Sequence, residues 1–297
     1  MLQIIIGAVS LGLLWAVMTI GVYITFRILD IADLTVEGSI AMGASIAAQV
    51  IASGASPYLA TLLSLLGGMA AGLATGLLHT KLKIPALLSG ILTMIALYSI
   101  NLRIMGKANI SLLRVDTVYT VFEGFGLSRT GAVIALGLLC VMLLVGILYW
   151  FFGTEIGSAI RATGNNPNMV RAQGINTNTT KILGLIISNG LVALSGGLIA
   201  QSQSYSDVQM GVGSIVIGLA SVIIGEVLFG KKNFLSRLIS LVLGSVTYRI
   251  IIAMVLKMGM PANDLKLFTA ITVAIALALP VIRKLLRPVK ITIKEGE

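Results

Sequence analysis

LQIIIGAVSLGLLWAVMTIGVYITF, residues 2–26, carries no charged side chain across twenty-five consecutive positions. A helix of about 20 apolar residues crosses the hydrocarbon core of a bilayer, so this run suffices for a span. It has no basic n-region and no A-x-A-like cleavage site, and it is too long for a signal-peptide core, so it reads as a retained first span. The run is continuous rather than alternating, which argues for a helix and against a barrel strand.

Outward from it, similar runs recur at roughly 36–52, 58–79, 85–102, 131–152, 182–200, 211–229, 234–256 and 266–282. The expectation is an all-α, polytopic membrane bundle of about nine spans, a single transmembrane domain over 1–297. Composition agrees. Charged residues make up 11%, under half of the roughly 25% usual in soluble domains, and mean hydropathy is +1.02. The 33 glycines suit close helix packing in a membrane. A formal charge of +10 does not indicate nucleic acid, because the cations cluster beside the spans, as topology signals do. One cysteine, Cys140, excludes an internal disulfide. With one histidine no His-based metal site forms, and no cofactor is expected.

The same cations orient the chain. Arg27, Lys81, Lys83, Arg161, Arg171, Lys181, Lys231, Lys232, Arg237, Arg283, Lys284, Arg287, Lys290 and Lys294 fall on one set of connections. Arg103, Lys107, Arg114, Arg129, Lys257 and Lys266 fall on the other. The positive-inside rule puts the larger set in the cytoplasm. The N-terminus is then outside, and the tail 283–297 is cytoplasmic. The second span is short and glycine-containing before SGASP (53–57), a candidate discontinuous helix of the kind that lines transport sites; a plain short tilted helix is the other reading. GSIAMG (38–43) recurs as GSIVIG (213–218), a hint of an inverted repeat. Gly68, Gly72 and Gly76 line one helix face, for packing within the subunit or along a homodimer seam.

GEVLFGKK (225–232) approaches a phosphate-binding loop but ends in Lys232 where a hydroxyl is required, and it lies at a span exit rather than between strand and helix. No Ser/His/Asp or Cys/His constellation is visible. The chain is therefore not expected to be an enzyme, and any ATP chemistry must come from another subunit. Charges within or beside spans are costly and face a cavity or a partner. They are Asp33, Glu37, Glu226 and Arg249, candidate pathway residues. A Glu226–Arg249 pair is possible, while Asp33 or Thr35 as N-cap and Glu37 in the first turn also fit simple capping.

EIGSAIRATGNNPNMVRAQGINT (155–177) is polar amid all this. Thr154 is a good N-cap with Glu155 in the first turn. Ile156, Ala159, Ile160 and Thr163 share one face, and Gly164 is placed to stop the helix. Asn166 caps a second helix with Pro167 at N1, and Gly174 stops it. Two short helices at the cytoplasmic surface result, too short to stand alone. They must pack on their own spans or offer a docking surface to a soluble partner.

This loop and the span after it resemble the permeases of branched-chain amino acid type in ABC importers, through Gly157, Ala159, Ile160, Arg161, Ala162, Ala172, Gly174 and Ile175. DIADLTVEGSIAMGA (30–44) and YRIIIAMVLKMGMPANDLKLFTAITVAIALALP (248–280) look like a narrower subgroup, the tryptophan/tyrosine transport permeases. The resemblance implies an integral subunit forming the pathway for a small solute, an aromatic or branched-chain amino acid, in the cell membrane. It implies a second permease copy as homodimer partner, lipid around it, cytoplasmic ABC ATPases, and an extracytoplasmic substrate-binding protein. It further implies that 153–181 is a coupling loop in which Glu155, Gly157, Ala159, Arg161, Ala162, Gly164, Asn166, Pro167 and Gly174 serve ATPase coupling. A self-sufficient ion-coupled secondary transporter using Asp33, Glu37, Glu226 and Arg249 is the alternative reading.

Overall fold

The computed structural model describes residues 2–230, 232–258, 264, 267–274 and 278. In chain order the helices and strands are α1 (Leu2–Tyr23), α2 (Thr35–Ala52), α3 (Pro57–Thr80), α4 (Ala86–Met105), β1 (Asn109–Ser111), α5 (Thr120–Gly124), α6 (Arg129–Gly153), α7 (Glu155–Asn165), α8 (Pro167–Ala172), α9 (Thr177–Gln203), β2 (Tyr205–Asp207), α10 (Ser214–Leu228) and α11 (Phe234–Lys257). A π-helical turn, Ile24–Ile28, prolongs α1. Seven of these helices are long and apolar enough to cross a membrane, and α10 is a shorter apolar helix. They account for eight of the nine expected spans. The ninth, 266–282, lies only partly within the described residues.

The second span is not discontinuous: α2 runs unbroken for 18 residues. The short helix is α10. Its 15 residues extend about 22 Å, less than the roughly 30 Å hydrocarbon core. The segment before it enters the bundle in non-helical form along α2. Val208 packs with Ala47, Ala48 and Ile51, and a Cβ on Gly211 would overlap the Glu37 carbonyl. Non-helical backbone at this depth is tolerated where protein buries it.

α9 is the central post. Its neighbours α1, α2 and α3 reach it across small residues. A Cβ on Gly43 would overlap the Ala193 carbonyl, one on Gly68 the Asn189 carbonyl, and one on Gly72 the Leu185 carbonyl. The glycine stripe of α3 is thus a seam within the subunit. Serine hydroxyls cross the same seams to neighbouring backbone: Ser188 donates to the Gly21 carbonyl at 2.7 Å and Ser195 to Leu14 at 2.8 Å. Ser64 donates to Gly43 at 2.8 Å. Each such bond contributes about 0.6 kcal/mol in a membrane, so shape complementarity carries most of the packing.

The connections sort to two ends. At one, β1 and β2 pair antiparallel, Ile110 opposite Ser206, over a cluster holding Ile51, Ala60 and Met105. At the other, Arg27 meets Glu226, His79 meets Lys181, and α7 lies under the end of α1.

Candidate functional site

The α7–α8 unit is assembled by its caps. The Thr154 hydroxyl accepts from the Gly157 amide at 3.3 Å. Asn166 Oδ1 accepts from the Met169 amide at 3.1 Å, with Pro167 at the first helical position. Gly174 takes φ +82, the left-handed turn that ends the unit. These follow the sequence reading. Two details do not. Gly164 does not stop α7, which runs on to Asn165. It is instead a point of close approach, where a Cβ would overlap the carbonyl oxygen of Ile28 in the π-turn. The inward face is also rotated. Gly157, Ile160 and Thr163 are buried, while Ile156 is 54% exposed. Gly157 faces inward because a Cβ there would overlap the Phe151 carbonyl at the end of α6.

The unit is therefore seated on three elements. Gly157 touches α6, Gly164 touches the end of α1, and the Thr163 hydroxyl meets that of Thr180 on α9 at 2.8 Å. Ala159 and Ala162 are half-buried behind this face. The outer surface presents Glu155, Ile156, Asn166 and Met169, the last 46% exposed. Arg161 bends back, its guanidinium 5.1 Å from the ring centre of Phe234 at the start of α11.

Above the seat lies an open cavity of about 850 Å³ between the ends of α1, α7 and α11. Glu226 lines up beside it, paired with Arg27 at 2.7 Å. The sequence pairing of Glu226 with Arg249 is overturned: Arg249 instead lies 4.0 Å from the ring centre of Trp15, one helix neighbour away on α1. Its Nε has no hydrogen-bond partner among the described residues.

The acidic candidates separate likewise. Asp33 is buried between α2 and α9. Its Oδ1 accepts from the Thr35 amide at 2.9 Å and its Oδ2 from the Asn189 amide at 2.7 Å. Asp33 thus serves the first turn of α2, although the residue flanking the helix is Leu34. Burial raises its pKa above the ordinary carboxylate range, against the lowering effect of the Thr35 and Asn189 hydrogen bonds. Asn189 also accepts from Ser39 at 2.7 Å, and the Thr35 hydroxyl joins Thr75, then Thr93. A polar chain thereby links α2, α3, α4 and α9. Glu37 points the other way, accepting from the Gly213 amide at 3.0 Å. The carboxylate of one helix start caps the start of another, and GSIAMG and GSIVIG open those two helices. Asp33, Glu37, Glu226 and Arg249 thus occupy four settings rather than one site. Sequence reasoning passed over Asn189, Thr75 and Thr93. The signal was Asn189 itself, a polar side chain within an apolar span.

A unit seated on three spans, with Ile156 and Met169 exposed on a polar outer face, fits a transporter domain, and the comparisons agree. The model for the branched-chain amino acid transport system / permease component family matches residues 4–279. The chain belongs to this family. The permease is 45% identical over 274 residues to the tyrosine transport system permease protein of Clostridioides difficile, covering 92% of this chain and 90% of that one. It is 26% identical over 190 residues to a ribose import permease protein of Escherichia coli, covering 61% of this chain and 56% of the relative. A metal-chelate type ABC transporter solved in an inward-facing conformation shares the fold, with TM-score 0.52 and 15% identity over 95% of this chain and 85% of that one. This chain is a multi-pass membrane permease of the ABC-transporter class.

Proposed function

We propose that this permease is the membrane subunit of an importer for an aromatic or branched-chain amino acid, driven by ATPases that dock on α7–α8. The observation that carries the reading is the seating of that unit. It touches α1, α6 and α9 through Gly157, Thr163 and Gly164, so a force on its outer face reaches three spans. Glu155, Ile156, Arg161, Asn166 and Met169 form the docking face. Gly157, Ala159, Ala162 and Gly164 seat it, and Pro167 and Gly174 shape its second helix. ATP hydrolysis belongs to the partner, an extracytoplasmic binding protein delivers the solute, and two copies of this chain enclose the pathway.

The 45% identity to a tyrosine transport permease favours an aromatic amino acid. Glu37, at the meeting of the α2 and α10 starts, is the pathway residue best placed to sense a solute; Asp33, Glu226 and Arg249 line or support the route around it. The α7–α8 end is cytoplasmic and the N-terminus outside. Arg27, Arg161, Lys232 and Arg237 border one cavity there, and Lys83, Arg171 and Lys181 another, as positive-inside bias requires.

The test is to purify the permease with its partners and screen the binding protein for thermal stabilisation by each amino acid, since bound ligand raises Tm by mass action. Co-purification of an ATPase and stabilisation by tyrosine, tryptophan or phenylalanine is the expected result. A permease that carries out ion-driven uptake without ATP overturns it.

A further inference from the structure

The second cavity at the α7–α8 end has a chemistry the coupling role does not use. It measures about 480 Å³ and sits where α3 ends and α9 begins. Lys83, Arg171, Lys181 and His79 line it, and among the described residues no acidic side chain does. The hydrogen bonds define the histidine. Its Nδ1 lies 3.0 Å from the Ile84 carbonyl and can only donate there, so Nε2 accepts from Lys181 Nζ at 3.4 Å. His79 thus positions the Lys181 side chain without supplying a counter-charge. Arg171 is held by Thr177 at 2.9 Å through Nε and by Asn168 at 3.5 Å through one terminal nitrogen, and its guanidinium lines the cavity. Three cations face one space with no counter-charge among the described residues that line it.

The surroundings say what kind of anion fits. α3 and α9 are membrane-crossing helices by length and composition, so their shared end stands at headgroup level. α3 also exposes leucines to its surroundings, Leu66, Leu73 and Leu77, and Leu82 beyond the helix end is exposed next to the cavity-lining Lys83. A basic pocket at the end of a membrane-crossing helix that exposes leucines matches the two halves of a phospholipid. Basic pockets between membrane helices hold anionic headgroups in this way.

We propose that this cavity is a binding site for the phosphate headgroup of an anionic phospholipid, with its acyl chains along the leucine face of α3. The ligand chemistry is a phosphate anion, and its source is the bilayer rather than solution. The site does not depend on the ATPase-docking reading.

The experiment uses the full-length permease in a neutral detergent, with Tm followed against added phosphatidylglycerol, phosphatidylcholine or inorganic phosphate. Phosphatidylglycerol is expected to raise Tm where the other two do not. K83Q, R171Q and K181Q together abolish that rise, each single change weakening binding roughly five-fold. Lys83→Arg with Lys181→Arg keeps the response, and K107Q with R114Q, at the other end of the bundle, leaves it unchanged. Equal stabilisation by phosphatidylcholine, or a triple variant that still responds to phosphatidylglycerol, overturns the site. Equal stabilisation by inorganic phosphate overturns its lipid source. Loss of a bound ATPase from the triple variant with the lipid response intact assigns the cations to protein docking and likewise overturns it.

Discussion

Gly164 of α7 lies so close to Ile28 that a single added carbon would overlap the Ile28 carbonyl oxygen. Two effects of opposite sign therefore meet in Gly164→Ala. Alanine gains about 1 kcal/mol of helix propensity over glycine in a helix interior. The obstructing atom is backbone, which cannot swing aside, and overpacking costs about 1–3 kcal/mol. The clash wins. The variant is expected to lower Tm and uptake together, because the loop loses its seat on α1. Gly174→Ala, at φ +82 with open space around it, strains only its own turn and is expected to lower Tm less. Equal Tm losses in the two variants would show that the Ile28 contact does not matter.

The outer face should behave differently from the seat. Ile156 and Met169 are exposed apolar side chains on an otherwise polar surface, and neither supports the fold. Ile156→Ser with Met169→Ser is expected to leave Tm unchanged, since exposed sites of this kind usually shift stability by within 0.5 kcal/mol or so. If these side chains are the anchors, the pair lowers the fraction of ATPase that co-purifies about ten-fold or more, with uptake falling in step. Unchanged co-purification in both single variants and the double variant removes them from the docking face.

How much of this was legible follows from what kind of signal each feature leaves. The caps Thr154 and Asn166, Pro167, and the stop at Gly174 were readable because capping is local chemistry within four residues. The role of Gly164 was not. A glycine near a helix end looks alike whether it turns the chain or admits a neighbour, and Ile28 lies far away in sequence. The inward face of α7 was misread by one position for a similar reason. Apolar periodicity favours Ile156, whereas the packed surface required the absence of a side chain at Gly157. Glu226 found Arg27 rather than Arg249 because α1 ends beside α10, a tertiary fact with no sequence period. Span positions, by contrast, follow from hydrocarbon thickness alone; α10 was expected as the span 211–229, and only its shortness was missed, because the segment before it enters the bundle unwound.

Asp33 predicts a pH dependence. Its pKa is raised by burial, so the folded state holds the proton to higher pH than the unfolded chain does. The stability this contributes is present below the ordinary carboxylate pKa and lost as pH rises through the raised value. Asp33→Asn removes the titration. Its amide can donate toward residue 189 if the Asn189 amide flips and the Ser39 hydroxyl rotates to accept, at the loss of the Asn189 bond to the Leu185 carbonyl. The expected result is a flatter Tm-against-pH curve for Asp33→Asn on the alkaline side of the ordinary carboxylate pKa. Asn189→Ala leaves Asp33 and Ser39 without the Asn189 amide and is expected to cost about 1–3 kcal/mol. Wild type and Asp33→Asn with the same slope exclude Asp33 as the titrating group.

The Arg27–Glu226 pair joins the π-turn of α1 to the last turn of α10, beside the seat of α7. Its arginine side is 43% exposed and its glutamate 10%, so solvent screens half of the interaction. A double-mutant cycle with Arg27→Gln and Glu226→Gln is expected to give a coupling of about 0.5–1 kcal/mol, shrinking in high salt. That is too small to hold the fold, but sufficient to bias a movement of α10 relative to α1. Glu226→Gln should therefore change uptake by several-fold at nearly constant Tm, with Arg27→Gln producing the same change and the double variant no more than either. Effects on uptake that add in the double variant would mean that the two residues act separately, and the pair then has no part in passing movement from α7 to the core.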